Sequence, residues 1–319
     1  MPASADRARV ALLIAVLVLT VGCSVHKAAG PARPPAGLRD ALSFIHANDI
    51  TRSYVEYSDV AAINDLARAD PARFTTLRSA GLGGLVAHAQ RIVSQLGIDP
   101  AGMRVRIAAG PATHGAGAWW GDYDRQRADS WFAGHATRED GGVWRAAEDY
   151  RTGPLGPVTV ARTAPGQFLW ANAGDALDWV AAPGRHGLAA DPTIAALAAC
   201  LDDVIAAVIA RGDSPGLTGL GGNPAVTYAA GVRAGPATDV TEILCATGQS
   251  IGSVDYVTRV LHEAISPTGE PYSTVLPGAT VLRAGSSVQV RWRPTGSTPA
   301  GRSLDMLHNR EHEPIFGAA

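Results

Sequence analysis

Lysine is almost missing from this 319-residue chain: of 27 basic residues only Lys27 is a lysine, and the rest are arginines. Neither charge sign is in excess, because the formal net charge is −2. That balance excludes a broad electrostatic grip on nucleic acid or on an anionic membrane surface. Charged residues are scarce at 18%, against 46% hydrophobic, so a disordered, solvated chain is excluded as well. Long apolar runs are also lacking. The longest, Val10 to Val21, has Thr20 as its one polar member and reaches only about 18 Å as a helix, short of a ~30 Å hydrocarbon core. No dinucleotide or phosphate-loop glycine signature is present, nor a convincing pair of catalytic carboxylates, and no cofactor or metal is expected.

The short run is better read as the h-region of a signal peptide, with Arg7 and Arg9 as its positive n-region and Gly22-Cys23 at its end. Leu19-Thr20-Val21-Gly22-Cys23 resembles the lipobox of bacterial lipoproteins, with Thr20 where leucine is usual. The resemblance covers about the first two dozen residues. It implies cleavage after residue 22, diacylation of the Cys23 thiol and a mature chain held by lipid on the outer face of the cell membrane. The arginine-for-lysine bias, with abundant alanine and glycine, reads as the coding bias of a GC-rich genome. In this the chain is similar to uncharacterised actinobacterial envelope lipoproteins.

Three domains of use follow. Residues 1–22 are the signal peptide. Residues 23–37, the lipidated cysteine and a proline-rich stretch, form a disordered tether that holds the globule up to about 40 Å from the bilayer. Residues 38–319 make the extracytoplasmic domain, large enough for one substantial core or two smaller ones. With Cys23 assigned to lipid, Cys200 and Cys245 remain. In an oxidising compartment they are expected to join, the alternative being two separate buried thiols.

Strand and helix signals interleave irregularly with several hairpins, so the expected fold is α+β with a mixed or antiparallel sheet and packed helices. Strands are expected at 53–57, 103–107, 157–162, 167–171, 225–232 and 240–246, with hairpins at 136–147 and 280–293. The clearest helix is expected over 192–211, capped by Asp191 and carrying an apolar stripe from Ile194 to Val208. A weak echo between residues 53–63 and 168–180, each reading strand, small residue, Asp and helix, admits two similar lobes meeting near 154–165.

Candidate chemistry is sparse. Gly248-Gln249-Ser250-Ile251-Gly252 fits a nucleophile elbow after a strand and before a helix, with Asp305 and His308 or His312 as conceivable partners and His114-Gly115-Ala116-Gly117 as an oxyanion-like loop. Gly212-Asp213-Ser214-Pro215-Gly216 has the same pattern but follows a helix signal and reads as a turn. His308-Asn309-Arg310-Glu311-His312 spells an inverted zincin pattern without a downstream third ligand. Trp119, Trp120, Asp122 and Tyr123 form the densest aromatic–acidic cluster, a candidate platform for sugar rings if exposed and plain core if buried. Two functional readings result. The first is a non-enzymatic, lipid-anchored envelope protein that binds a glycan, lipid or protein ligand or plays a structural role. The second is an envelope serine hydrolase or esterase acting through Ser250.

Overall fold

The computed structural model describes residues 32–146, 158–181, 186–218, 222–236, 238–296 and 298–317. Cys23, the expected signal peptide and most of the expected tether lie outside the described residues. Twelve strands are described: β1 (Tyr54–Asp59), β2 (Val105–Ala109), β3 (Ala116–Trp120), β4 (Ala136–Glu139), β5 (Val143–Ala146), β6 (Val160–Ala164), β7 (Gln167–Ala171), β8 (Ala206–Arg211), β9 (Val226–Ala234), β10 (Val240–Gly248), β11 (Thr280–Ala284) and β12 (Ser287–Trp292). They form one sheet in the order β11-β12-β10-β9-β8-β1-β2-β3-β7-β6-β5-β4. Every neighbouring pair is antiparallel, so the fold is α+β with an antiparallel sheet.

The strand order repeats itself. β1-β2-β3-β7-β6 and β8-β9-β10-β12-β11 are each a three-strand meander, then a helix, then a hairpin whose second strand returns beside the third. The halves join back to back through β1 and β8, where Glu56 lies opposite Val208. The hairpin β4–β5 extends the first half outward. This repeat is not the one the sequence echo suggested. The echo relates β1 to β7, whereas the topology matches β1 with β8 and β7 with β12. Residues 160–164, within the stretch expected to join two lobes, form β6 inside the first half, and the chain crosses between halves over residues 172–205.

The longer helices are α1 (Leu38–Ser43), α2 (Val60–Ala69), α3 (Arg125–His135), α4 (Pro192–Leu201), α5 (Val254–Glu263) and α6 (Arg302–His308). Their starts follow from side-chain oxygens that accept otherwise unpaired backbone N–H groups. Asp59, Asp124, Asp191 and Ser253 cap α2, α3, α4 and α5 in this way. The helix expected over 192–211 ends at Leu201, and Ala206–Arg211 is the central strand β8. Asp202 turns the chain at φ 62°. Beyond it Ala207 and Ile209 pack on one face of the sheet and Val208 and Ala210 on the other, so both faces are apolar. A strand buried on two sides is apolar at every position and satisfies a helical stripe by accident.

The two faces are packed differently. On the first face a single core runs across both halves, from Trp120 and Leu169 through Val55, Tyr57 and Ile209 to Ile243 and Cys245, under α1 and α4. The second face carries separate cores. One, with Leu85, Trp119, Phe132 and Trp170, belongs to the first half. Another, with Tyr228, Leu244, Val290 and Trp292, belongs to the second. A third, around Ile63, Phe74 and Val232, lies at one end of the seam. Cys200 and Cys245 form a disulfide with Cα atoms 6.4 Å apart, tying α4 to β10.

Candidate functional site

The separate packing of the second face leaves a cleft of about 280 Å³ over the β1–β8 seam. Tyr54 and Glu56 of β1 and Val208 of β8 form its floor, because β-strand alternation sends them to the same face. Leu77, Ser79, Ala80, Gly83 and Val86 wall one side, and Gly301, Leu304, Asp305 and His308 of the α6 region wall the other.

Buried polar groups hold both walls. On one side the wholly buried Arg106 donates from Nη2 to the carbonyl of Arg78 at 2.7 Å and from Nε to Ser58 Oγ at 3.3 Å. Ser58 in turn donates to the carbonyl of Ala80 at 2.9 Å. Burial lowers the Arg106 guanidinium to about 10, although Glu56 and Asp99 favour its charge. On the other side Glu242 of β10, itself buried, accepts the N–H groups of Gly301 at 2.8 Å, Arg302 at 3.1 Å and Ser303 at 2.5 Å. A carboxylate there satisfies the unpaired N–H groups and complements the positive end of α6. Burial raises the Glu242 pKa, and the three N–H donors oppose that shift.

In the cleft, Tyr54 donates its hydroxyl to Glu56 Oε1 at 2.8 Å, and the Gly83 N–H donates to Oε2 at 3.0 Å. Both carboxylate oxygens are thereby oriented. Burial, then the Glu56 charge and this hydrogen bond, raise the Tyr54 hydroxyl well above its ordinary value, so it stays a donor. Desolvation lifts the Asp305 carboxyl, while Arg302 and His308 pull it down. The cleft thus presents two acidic groups, an imidazole and hydroxyls among the apolar side chains of Leu77, Val86, Val208 and Leu304, an arrangement suited to an amphipathic ligand carrying hydrogen-bond donors.

The residues singled out in the sequence fall elsewhere, with two exceptions. Trp119 and Trp120 are both 0% exposed and point to opposite faces of β3, into the first-half core and the shared core. Their ring faces are covered, so the expected sugar platform does not form. Tyr123 donates to the β6–β7 hairpin carbonyls of Ala164 and Gln167, each at 3.0 Å, and Asp122 stands exposed in the turn. Ser250 does sit between β10 and a helix, but in an antiparallel sheet. Among the described residues it has no hydrogen bond to a histidine or carboxylate, and Ser253, not Ser250, caps α5. The turns holding these two candidates are counterparts: each follows the third strand of its half and precedes the half's helix, and each opens on a glycine, Gly121 at φ 156° and Gly248 at φ 142°. A Cβ on Gly248 would lie 2.3 Å from the Ala225 carbonyl oxygen, which explains the glycine without a nucleophile.

His114 packs its ring on Trp179 in the β2–β3 loop. Four strands separate β3 from β10, roughly 24 Å at ordinary strand spacing, so this loop cannot serve Ser250. α6 ends at His308, which is exposed, whereas His312 is wholly buried and bonds through Nδ1 to the Met306 carbonyl at 3.1 Å. The zincin spacing is therefore not on one helix face, and no cluster of three or more potential metal ligands occurs among the described residues. Asp305 and His308 are the exceptions: both line the cleft, but away from Ser250. Glu56 escaped sequence reading, although a charged residue inside an aromatic strand was the available signal. No protein-family model, curated protein or solved structure matches the chain.

Proposed function

We propose that the protein is a lipid-anchored binding protein of the outer membrane face, and that its ligand occupies the seam cleft. The anchor rests on the lipobox at Leu19–Cys23, and the Cys200–Cys245 bond is in keeping with an oxidising compartment. The observation that carries the binding reading is the cleft itself. Its Glu56 carboxylate is held by a donating tyrosine and a backbone N–H, with Asp305 on the facing wall, and it lies where two packing units meet, a preferred position for ligand sites. Partners in this reading are the membrane, through the lipid, and a small envelope molecule with apolar surface and hydroxyl or amine donors. Nucleic acid has no place in it.

Native mass spectrometry of the chain purified from membranes tests both parts. The expected result is a mature terminus at Cys23 with thioether-linked glyceride, together with a bound small molecule that disappears in Val208→Trp, which fills the cleft floor. A mature terminus elsewhere removes the anchor. Wild-type protein that carries no adduct, and gains none from an organic extract of the envelope, removes the cleft as the binding site.

A further inference from the structure

The first face of the second half holds a basin of about 430 Å³ lined by Arg233, Thr241, Thr280, Arg291 and Arg293, beyond the reach of α4. The strand register puts these residues together. Thr241 of β10 lies opposite Arg233 of β9, and Arg291 of β12 lies opposite Ile243 of β10 and Thr280 of β11. Arg293 follows Arg291 by two residues and so returns to the same face. Strand spacing sets Arg233 and Arg293 roughly 10 Å apart across β10, with Arg291 one rung along. Trp292, between the two β12 arginines, points into the core of the opposite face.

Three guanidiniums face two carboxylates. Arg233 uses Nη1 on Asp202 at 3.2 Å, and Arg293 uses Nη1 on Asp239 at 3.5 Å. Each contact engages one N–H of the planar group, and the other donors have no partner among the described residues. Arg291 bonds through Nε to Thr280 Oγ1 at 3.3 Å and has no carboxylate partner among the described residues. A concave set of three forks with surplus positive charge suits a tetrahedral oxyanion that offers several oxygens at once. We infer that Arg233, Arg291 and Arg293 form a binding site for a phosphate ester. The site lies on the face opposite the seam cleft and does not depend on it. For a chain tethered at a bilayer, the ester is either the headgroup of a phospholipid or a soluble phosphate.

Isothermal titration of the full chain with glycerol 3-phosphate, and separately with dihexanoylphosphatidylglycerol below its micelle concentration, tests the inference at one ionic strength. Saturable one-to-one binding is expected. Arg291→Gln should weaken it at least about tenfold, since a charge-assisted bond to phosphate is lost. Arg291→Lys should fall between, and Arg138→Gln on β4 should bind as wild type. Tighter binding of the lipid assigns the site to headgroups, and equal or tighter binding of glycerol 3-phosphate assigns it to soluble esters. Absence of saturable binding to both, or full affinity in folded Arg291→Gln and Arg293→Gln, overturns the site.

Discussion

His312 shows how one side chain sets a property of the whole protein. Its ring lies edge-on to Tyr228 with centroids 4.3 Å apart, Nδ1 faces the Met306 carbonyl, and Nε2 is buried without a hydrogen-bond partner in the described structure. Burial is the main cause that lowers its pKa from 6.5 to about 4, with Arg310 adding to the effect and the Met306 bond opposing it. The folded pKa is below the unfolded one, so the unfolded chain takes up the proton first as pH falls. Stability from this group is complete above pH 6.5 and is lost between 6.5 and about 4, by on the order of 3 kcal/mol. Glu242 and Asp305, whose pKa values are raised, act with the opposite sign, so the comparison must be with a variant. In urea unfolding, the stability difference between wild type and His312→Phe should be constant above pH 6.5 and should move in favour of the variant below it. A difference that does not change with pH refutes the assignment.

At the scale of elements, the disulfide joins the last turn of α4 to the middle of β10, and Gln289 of β12 donates to the Cys200 carbonyl beside it. The bond closes a loop with a sequence separation of 45. Loop-closure entropy gives it about 4 kcal/mol of stability. Cys200→Ala with Cys245→Ala should therefore lower the urea midpoint markedly and steepen the slope, because the unfolded chain is freed to expand, and reductant should do the same to wild type. A midpoint unmoved by both treatments would mean that packing of α4 alone secures that region. The pairing was legible because two cysteines remained once Cys23 was assigned. Most strands and both hairpins were legible too, through alternation and the glycine turns that end them. β8 was not, since its two buried faces erase the alternation that marks a strand. The seam cleft was not legible either: Glu56 and Asp305 are 249 positions apart in the chain, and only the pairing of β1 with β8 and the Glu242 cap on α6 bring them to one hollow. For Trp119 and Trp120 the sequence left platform and core both open, and the structure decides for core: adjacent residues on a strand point to opposite faces, and both faces of this sheet are covered.

Across the whole molecule, the asymmetry between the two faces matters most. The second face is divided, and the division makes the cleft. The first face is continuous, so the halves cannot separate without exposing the core that runs from Trp120 through Ile209 to Cys245. Opening one half would uncover apolar surface on the other, at roughly 25 cal/mol for each Å². The cleft floor is thus held by a shared core on its far side, which keeps Tyr54, Glu56 and Val208 in fixed relation. The halves should then unfold together. Tryptophan distribution offers a probe: Trp119, Trp120, Trp131, Trp144 and Trp170 lie in the first half, Trp179 in the segment that crosses between the halves, and Trp292 in the second. Tryptophan fluorescence, weighted to the first half, and far-ultraviolet circular dichroism, weighted to the whole, should give coincident urea transitions with the disulfide intact. Hydrogen exchange of the β10 and β12 amides should share that opening free energy with the β2 and β3 amides. A fluorescence transition completed before the dichroism changes, or two exchange classes divided at the β1–β8 seam, would mean that the halves are independent and that the seam is a hinge.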